Sequence, residues 1–314
     1  MIDENYYLSG IKKIVIWGYP KDTHTHSYIH EAFYKAFRYL GYDTYWFNNS
    51  NDVSNFDFSN TLFLTSGSEE CLKVPIRKDG LYILHNCPRE LFITVMDHSV
   101  NIQVLTDPVY NIQGTYKIND YTIIEGSTVY QPWATDLLPN EINFEWANLK
   151  RKNVVNFVGS VVDGGWNDVR SQLIGFSEGC YKDGIEVHAY GGYTPNSNIG
   201  HLKRHANFIT NDQHIDLIKE SIYAPQLCGI QQIEMGYIPC RIFKNISYGH
   251  MGITNSKAVN RVFNNGLIYD EDTYALYHKA KEGASSEKTI ELMKIVKDKH
   301  TYLNRIKIIL GLFK

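Results

Sequence analysis

GYIPCRIFKNISYGHMGITNS, residues 236–256, is the stretch around which the rest of the chain reads. It parses as loop, helix, turn and strand. Pro239 fixes the backbone just ahead of a helix that begins near Arg241. Gly249 or Gly252 ends that helix by supplying the left-handed conformation common at helix exits. MGITN then reads as a short buried strand. Arg241 and Lys244 lie three residues apart and so share one face of the first turn. The backbone N–H groups and dipole of a helix start favour an anion there, and two cations add charge-assisted hydrogen bonds. A mono- or diphosphate suits this chemistry. The plainer reading is an amphipathic core helix with two solvated cations, and the pattern alone weights the two equally.

Strands and helices alternate on both sides of that block. IKKIVIWGYP (11–20) is an apolar run too short for a helix and closed by Gly18 and Pro20, hence a buried strand. After the polar loop KDTHTHS, apolar residues at 29, 33, 36, 37 and 40 recur at helical spacing until Gly41. YDTYWF (42–47), TLFLTS (61–66), GLYILHN (80–86) and NIQVLTD (101–107) read as further strands, with a helix at ELFITVMDH. Such alternation implies parallel strands with right-handed crossovers, and ligands bind beyond the carboxyl ends of such strands. That rim holds residues 18–27, His85, Asn86, Thr106 and Asp107.

The rhythm loosens between 122 and 152, and a second series starts at NVVNFVGS (153–160). A helix at NDVRSQLIGFSEGCYKDG, a strand at IEVHAYGG (185–192) and a helix or short strand in QHIDLIKESIYAPQL lead to the opening block. The expected layout is a Rossmann-like domain over 1–132, joined by 300–314, a linker over 133–152 and a second Rossmann-like domain over 153–299. The tail from Glu287 to Phe313 reads as helical, with an apolar stripe flanked by Lys297, Lys299, Arg305 and Lys307. It either packs back on the first domain or rests weakly on a membrane surface.

Composition narrows the function classes. The 314 residues suit two domains, and 43% apolar against 21% charged residues allows large cores. A net charge of −3 and pI near 6.5 argue against a general nucleic-acid binder. The five cysteines (71, 87, 180, 228, 240) form no CxxC pair, which suggests reduced thiols in the cytoplasm and no zinc site. The opening MIDENYYLSG lacks a signal pattern, and no apolar run reaches the roughly 18 residues that span a bilayer. Phosphate-binding GxGxxG and GxxxxGK[ST] strings and a Gly-x-Ser-x-Gly nucleophile are absent. Asp270-Glu271-Asp272 matches a metal-holding Asp-x-Asp string, but it precedes a helix and reads as its cap.

NFVGS, HAYGG, the 239–256 block and KHTYLNR fall in the order found in glycosyltransferases of the GT-B fold, and the chain resembles that family over residues 153–314. The closest group carries a P-x-R-x-F-E helix and a terminal His-Thr-Tyr-x-x-Arg, matched here by His300, Thr301, Tyr302 and Arg305. The resemblance implies an α/β protein with two Rossmann-like domains facing a cleft and a C-terminal helix returning to the first domain. It implies a nucleotide-sugar donor site at Gly159, Ser160, Tyr190, Gly191, Tyr223, Arg241, Lys244, Asn245, Tyr248, Thr254 and Asn255. Where the family has a glutamate for the ribose hydroxyls, this chain has Lys244, which cannot accept a hydrogen bond.

The expected reaction is glycosyl transfer to a hydroxyl acceptor in glycan assembly. The leaving diphosphate would be stabilised by Arg241, Lys244 and the Gly159–Ser160 backbone, with no metal or other cofactor. Inversion would need a base from the loop after the first strand, with His26 first, then His24 and Asp22. Each of these is also explained as a loop or capping residue. A His-x-His metal site is the weaker alternative for lack of a third ligand. A sugar-nucleotide epimerase or hydrolase, and a two-domain protein that binds a small ligand without chemistry, are the competing functions. The expected partners are a nucleotide sugar and a hydroxyl acceptor, with no nucleic acid.

Overall fold

The computed structural model describes residues 6–104, 116–118, 121–123, 127–162, 164–166, 168–195, 197–206 and 209–313. Thr106 and Asp107 lie outside them. The described residues cluster as two units. One holds those up to 104, those through 138 and 301–313, and the other holds 139–300. Residues 133–138 thus group with the first unit and 139–152 with the second, where the 3₁₀ turn Phe144–Asn148 packs on the helix Ser286–Lys299.

In the first unit, β1 (Lys13–Trp17), α1 (Thr25–Tyr39), β2 (Asp43–Phe47), β3 (Thr61–Ser66), β4 (Leu81–His85), α2 (Arg89–Val95) and β5 (Ser99–Gln103) follow the expected alternation. A small antiparallel pair, β6 (Tyr116–Ile118) and β7 (Tyr121–Ile123), comes next. β8 (Ser127–Tyr130) then adds a sixth strand within the stretch whose rhythm loosens. The strand order is β2-β1-β3-β4-β5-β8, all parallel. β1 and β3 are interior strands covered on both faces, which is why they read as unbroken apolar runs and not as alternation. Val15, Trp17, Phe63, Tyr82, Leu84 and Val95 form the core on one side.

Helix α1 starts four residues before its apolar spacing begins. His24 caps it, with Nδ1 accepting the His26 N–H at 3.2 Å, while Ser27 Oγ accepts the His24 N–H at 3.2 Å. Histidine is not among the usual capping residues, so this start is hidden in the sequence.

The second unit contains β9 (Val154–Val158), α3 (Arg170–Lys182), β10 (Glu186–Tyr190), β11 (Lys203–His205), α4 (Asn211–Glu220), α5 (Ile230–Glu234), α6 (Cys240–Ser247), β12 (Ile253–Thr254), α7 (Lys257–Val262), β13 (Ile268–Tyr269), α8 (Thr273–Gly283) and α9 (Ser286–Lys299). β11-β10-β9 and β12-β13 are parallel sets, and a parallel bridge ties Gln226 to Thr254. Gly249, not Gly252, ends α6, at φ +88°. An added Cβ there would meet the backbone of Trp146 and Ala147. Gly249→Ala is therefore expected to cost about 2 kcal/mol or more, from left-handed strain plus the collision. Thermal unfolding checks this, and a loss under about 0.5 kcal/mol would contradict it.

The tail is two helices, not one. α9 stops at Lys299, and α10 (Tyr302–Gly311) begins after a break. Thr301 causes the break, because Asn304 Oδ1 accepts both its N–H at 2.9 Å and its hydroxyl at 2.8 Å. That geometry is a helix start. The break is also where the chain leaves the second unit for the first. There the apolar side of α10 is buried, with Tyr302 against Phe33 at 4.5 Å. Arg305, only 4% exposed, donates to the carbonyls of Pro132 and Trp133 at 2.8 and 3.1 Å. Most of the apolar stripe that suggested a membrane contact is thus packed on the first unit, with Ile308 and Leu312 left about half exposed. Among the described residues no helix is long and apolar enough to cross a membrane.

Candidate functional site

Two groups of side chains stand at strand ends, one in each unit. In the second unit, β9 ends at Val158 and the Gly159 N–H donates to Tyr190 O at 2.8 Å. Arg241 reaches this turn from the first turn of α6. Its Nη2 donates to Val158 O at 2.8 Å, and its guanidinium lies over the Phe157 ring at 4.2 Å. It also occupies the space that a side chain at Gly159 would need. Gly191 packs as closely on the Gly159 carbonyl, at φ +138°. The turns nest because Gly191 lacks a Cβ, and Arg241 reaches the first of them because Gly159 lacks one.

One turn along α6, Lys244 is 8% exposed and donates from Nζ to Asn211 Oδ1 at 2.6 Å. Asn211 opens α4, whose cap Thr210 and Gln213 satisfy each other's backbone N–H groups. His214, one turn into α4, is held well below the usual imidazole range by burial and by the charges of Lys244 and Arg241. Burial also lowers the Arg241 guanidinium. Three basic groups therefore meet where β9, α4 and α6 converge. An arriving anion would offset the charges of Arg241 and Lys244 and favour protonation of His214.

The remaining candidate donor residues have mixed placements. Ser160 is exposed at the turn. Tyr190 stacks on His205 at 4.4 Å, and burial followed by Glu220 raises its phenol. Others form the frame behind the turn. Asn245 donates to Ala224 O at 2.8 Å. Thr254 donates to Gln226 Oε1 at 2.7 Å. Asn255 accepts from the Cys228 N–H at 2.8 Å and donates to its carbonyl at 3.0 Å. Tyr248 stacks on Trp146 at the far end of α6. Tyr223 is a core residue between Phe176 and Tyr277.

In the first unit, the loop after β1 carries Asp22, exposed at φ +59°, then the cap His24, stacked on Tyr19 at 4.1 Å. His26 Nδ1 lies 3.2 Å from Ser66 Oγ, which is also 3.3 Å from His85 Nδ1. The hydroxyl can donate to one ring and accept from the other. Burial, with His24 adding to it, lowers His26 to about 4. Burial, then His26, lowers His30 to about 3. His85 falls well below its usual range for the same reasons. All these rings are neutral at physiological pH. The sequence pointed to His26 and to the His85 rim but not to the serine that joins them. His214 was also missed, although the Thr210-x-x-Gln213 box would have put it in a first turn.

Among the described residues no group of three or more His, Cys, Asp or Glu side chains is arranged to hold a metal ion. Asp270 pairs with Lys279 at 2.9 Å, and Asp272 caps α8, as the sequence suggested for this string.

No family model and no curated protein matches the chain. Solved structures do. An alpha-glucosyltransferase in complex with UDP and a 13-mer DNA containing an A:G mismatch aligns at a TM-score of 0.62 and 12% identity, covering 95% of this chain and 99% of that one. A trehalose-6-phosphate structure from E. coli with bound UDP-2-fluoro glucose aligns at 0.57 and 8%, covering 96% and 99%. An alpha,alpha-trehalose-phosphate synthase (UDP-forming) from Burkholderia vietnamiensis aligns at 0.55 and 8%, covering 96% of each. The fold of the chain is therefore that of the GT-B glycosyltransferases, with two Rossmann-like units and parallel sheets.

Proposed function

We propose that this chain is a glycosyltransferase that moves a sugar from a nucleoside diphosphate to a hydroxyl acceptor without a metal ion. The observation that carries the reading is Arg241 held on the Gly159 turn, with Lys244 on the same helix bonded to Asn211 at the start of α4. In the reaction the bond from the anomeric carbon to the phosphate oxygen breaks, and negative charge grows on the leaving diphosphate. Preorganised cations at that point lower the barrier. The fold neighbours with bound UDP or UDP-2-fluoro glucose support a nucleoside-diphosphate sugar as donor.

The stereochemical course we assign is retention, in place of the inversion expected from the loop histidines. A general base works best with a pKa near the operating pH, and His26 at about 4 is a weak one. In a retaining course the acceptor proton passes to the departing phosphate oxygen, so no strong base is required. The neighbour named an alpha-glucosyltransferase supports the same outcome. His26 then orients the acceptor hydroxyl, with His24 and Asp22 shaping its loop. His26→Ala is expected to slow transfer less than about tenfold, whereas loss of a base costs about 10²–10⁴. A loss in the larger range, with an inverted product by NMR, would restore the base role.

The acceptor we assign is a glycan or another uncharged hydroxyl compound. One neighbour carries DNA, but the net charge of −3 here disfavours a phosphate backbone. Release of UDP from UDP-glucose that depends on an added glycan acceptor tests the reading. Equal release without acceptor would make the chain a hydrolase. EDTA should leave the rate unchanged, and Asp270→Ala should leave it within about threefold, since that carboxylate serves Lys279. Abolition by EDTA with recovery on adding Mn²⁺ would overturn the metal-free account.

A further inference from the structure

One face of the strand pair β10 and β11 carries a continuous row of polar side chains. Glu186, His188 and Tyr190 alternate along β10 and so share one face, as do Lys203 and His205 on β11. The register sets His188 beside Lys203 and Tyr190 beside His205. Glu186 is held from both strands. Its Oε1 pairs with Lys203 Nζ at 2.5 Å, and its Oε2 lies 3.0 Å from His188 Nε2. On the other side of that ring, His188 Nδ1 lies 3.2 Å from His205 Nε2. His205 Nδ1 takes no hydrogen bond from the described residues.

These contacts fix where the ring protons sit. An ionised carboxylate only accepts, so His188 Nε2 donates to Glu186. Lys203 already supplies the charge that answers Glu186, so His188 serves as a neutral donor and its Nδ1 is left to accept. His205 Nε2 then donates to that nitrogen, which leaves His205 Nδ1 as a bare lone-pair acceptor. Partial burial, then His188 and Lys203, lower His205 and keep its ring neutral. Tyr190 lies over the imidazole, with the rings 4.4 Å apart and 12° from parallel. Tyr190 and His205 end their strands in register with Val158, the last residue of β9. The acceptor therefore stands on the rim two strand spacings, about 10 Å, from the strand end that holds Arg241.

Resting on the donor site assigned above, we propose that His205 Nδ1 selects the donor's base, favouring one with a ring N–H on its pairing edge, such as uracil. With the diphosphate at Arg241, the nucleoside runs along the rim from β9 past Tyr190 to β11. The N3–H of uracil donates to His205 Nδ1. Cytosine presents a bare N3 at the same place, so two lone pairs would face each other and both would go unpaired. Glu186 and His188 touch no ligand in this arrangement. They are positioning residues that act through the tautomer of His205.

Nitrogen-15 NMR of the full chain at about pH 8, without ligand, reads the tautomer. His205 should carry its proton on Nε2 and leave Nδ1 bare. Titration calorimetry then compares UDP, CDP and 3-methyl-UDP, in which a methyl group replaces the ring N–H. UDP should bind about tenfold or more tighter than either of the others. His205→Ala should lower UDP to the level of CDP and leave CDP within about threefold of the parent. His188→Leu removes the acceptor for His205 Nε2, so either ring nitrogen can carry the proton, and the ratio of UDP to CDP affinity should narrow to under about threefold. A merely structural role for His188 would weaken both nucleotides equally and keep their ratio, which would overturn its positioning role. A proton on His205 Nδ1, or equal affinity for UDP and CDP in the parent, would overturn the proposal and leave the donor site standing. Failure of all three nucleotides to bind would remove the donor site and the base selection together.

Discussion

Arg241→Ala is expected to weaken binding of UDP by ~1.5–3 kcal/mol, a loss of ~10–150-fold, the range for hydrogen bonds to a charged group. Arg241 joins the strand end to the helix start through Val158 O and the Phe157 ring, so the folded state must be checked by circular dichroism. Arg241→Lys supplies a second reading. It keeps the charge but loses the planar fork, and should recover only part of the affinity. Gly159→Ala should act in the same direction, because its methyl would displace the guanidinium without removing any charge. Titration calorimetry distinguishes these outcomes. Parent-like affinity in both Arg241→Ala and Gly159→Ala, with the fold intact, would move the anion site elsewhere.

Acid should destabilise the chain well before its carboxylates protonate. His30 and His250 are each 3% exposed, and each is pushed down to about 3. Burial is the main cause at both. His26 and His24 add to it at His30, and Arg151, 2.7 Å from His250 Nε2, adds to it at His250. An unfolded chain takes up protons at these residues near the ordinary value of about 6.5, while the folded chain does not until about 3. Stability is therefore full above roughly pH 6.5 and falls as pH drops toward 3. By pH 5 each residue removes about 2 kcal/mol. Thermal midpoints measured from pH 7 to pH 5 should fall steeply. His30→Leu, whose parent ring leaves Nδ1 without a partner, should flatten part of that fall. A midpoint independent of pH over this range would contradict the burial of neutral imidazoles.

The architecture was legible because apolar runs and their glycine or proline stops mark interior parallel strands directly. Lys13–Trp17, Thr61–Ser66 and Val154–Val158 all fall inside the runs read from sequence. β8 was hidden because STVY is a four-residue edge strand that follows turn-forming residues and has no apolar run. The break at His300–Thr301 was hidden for a different reason. Its cap, Thr301 with Asn304, sits inside continuous helical periodicity, and one polar pair outweighs the pattern locally. At the candidate site, Arg241 and Lys244 could be read because they lie in one turn of one helix. His214 and Ser66 could not, since each meets its partners only after distant strand ends and helix starts come together.

Hydrogen–deuterium exchange of the full chain with and without saturating UDP tests the central claim most directly. It asks whether the Gly159 turn and the starts of α4 and α6 hold the nucleotide. The account predicts slowed exchange at 158–161, 210–214 and 240–245 together, with Arg241→Ala removing the effect. Bound UDP that leaves all three segments unprotected would contradict it.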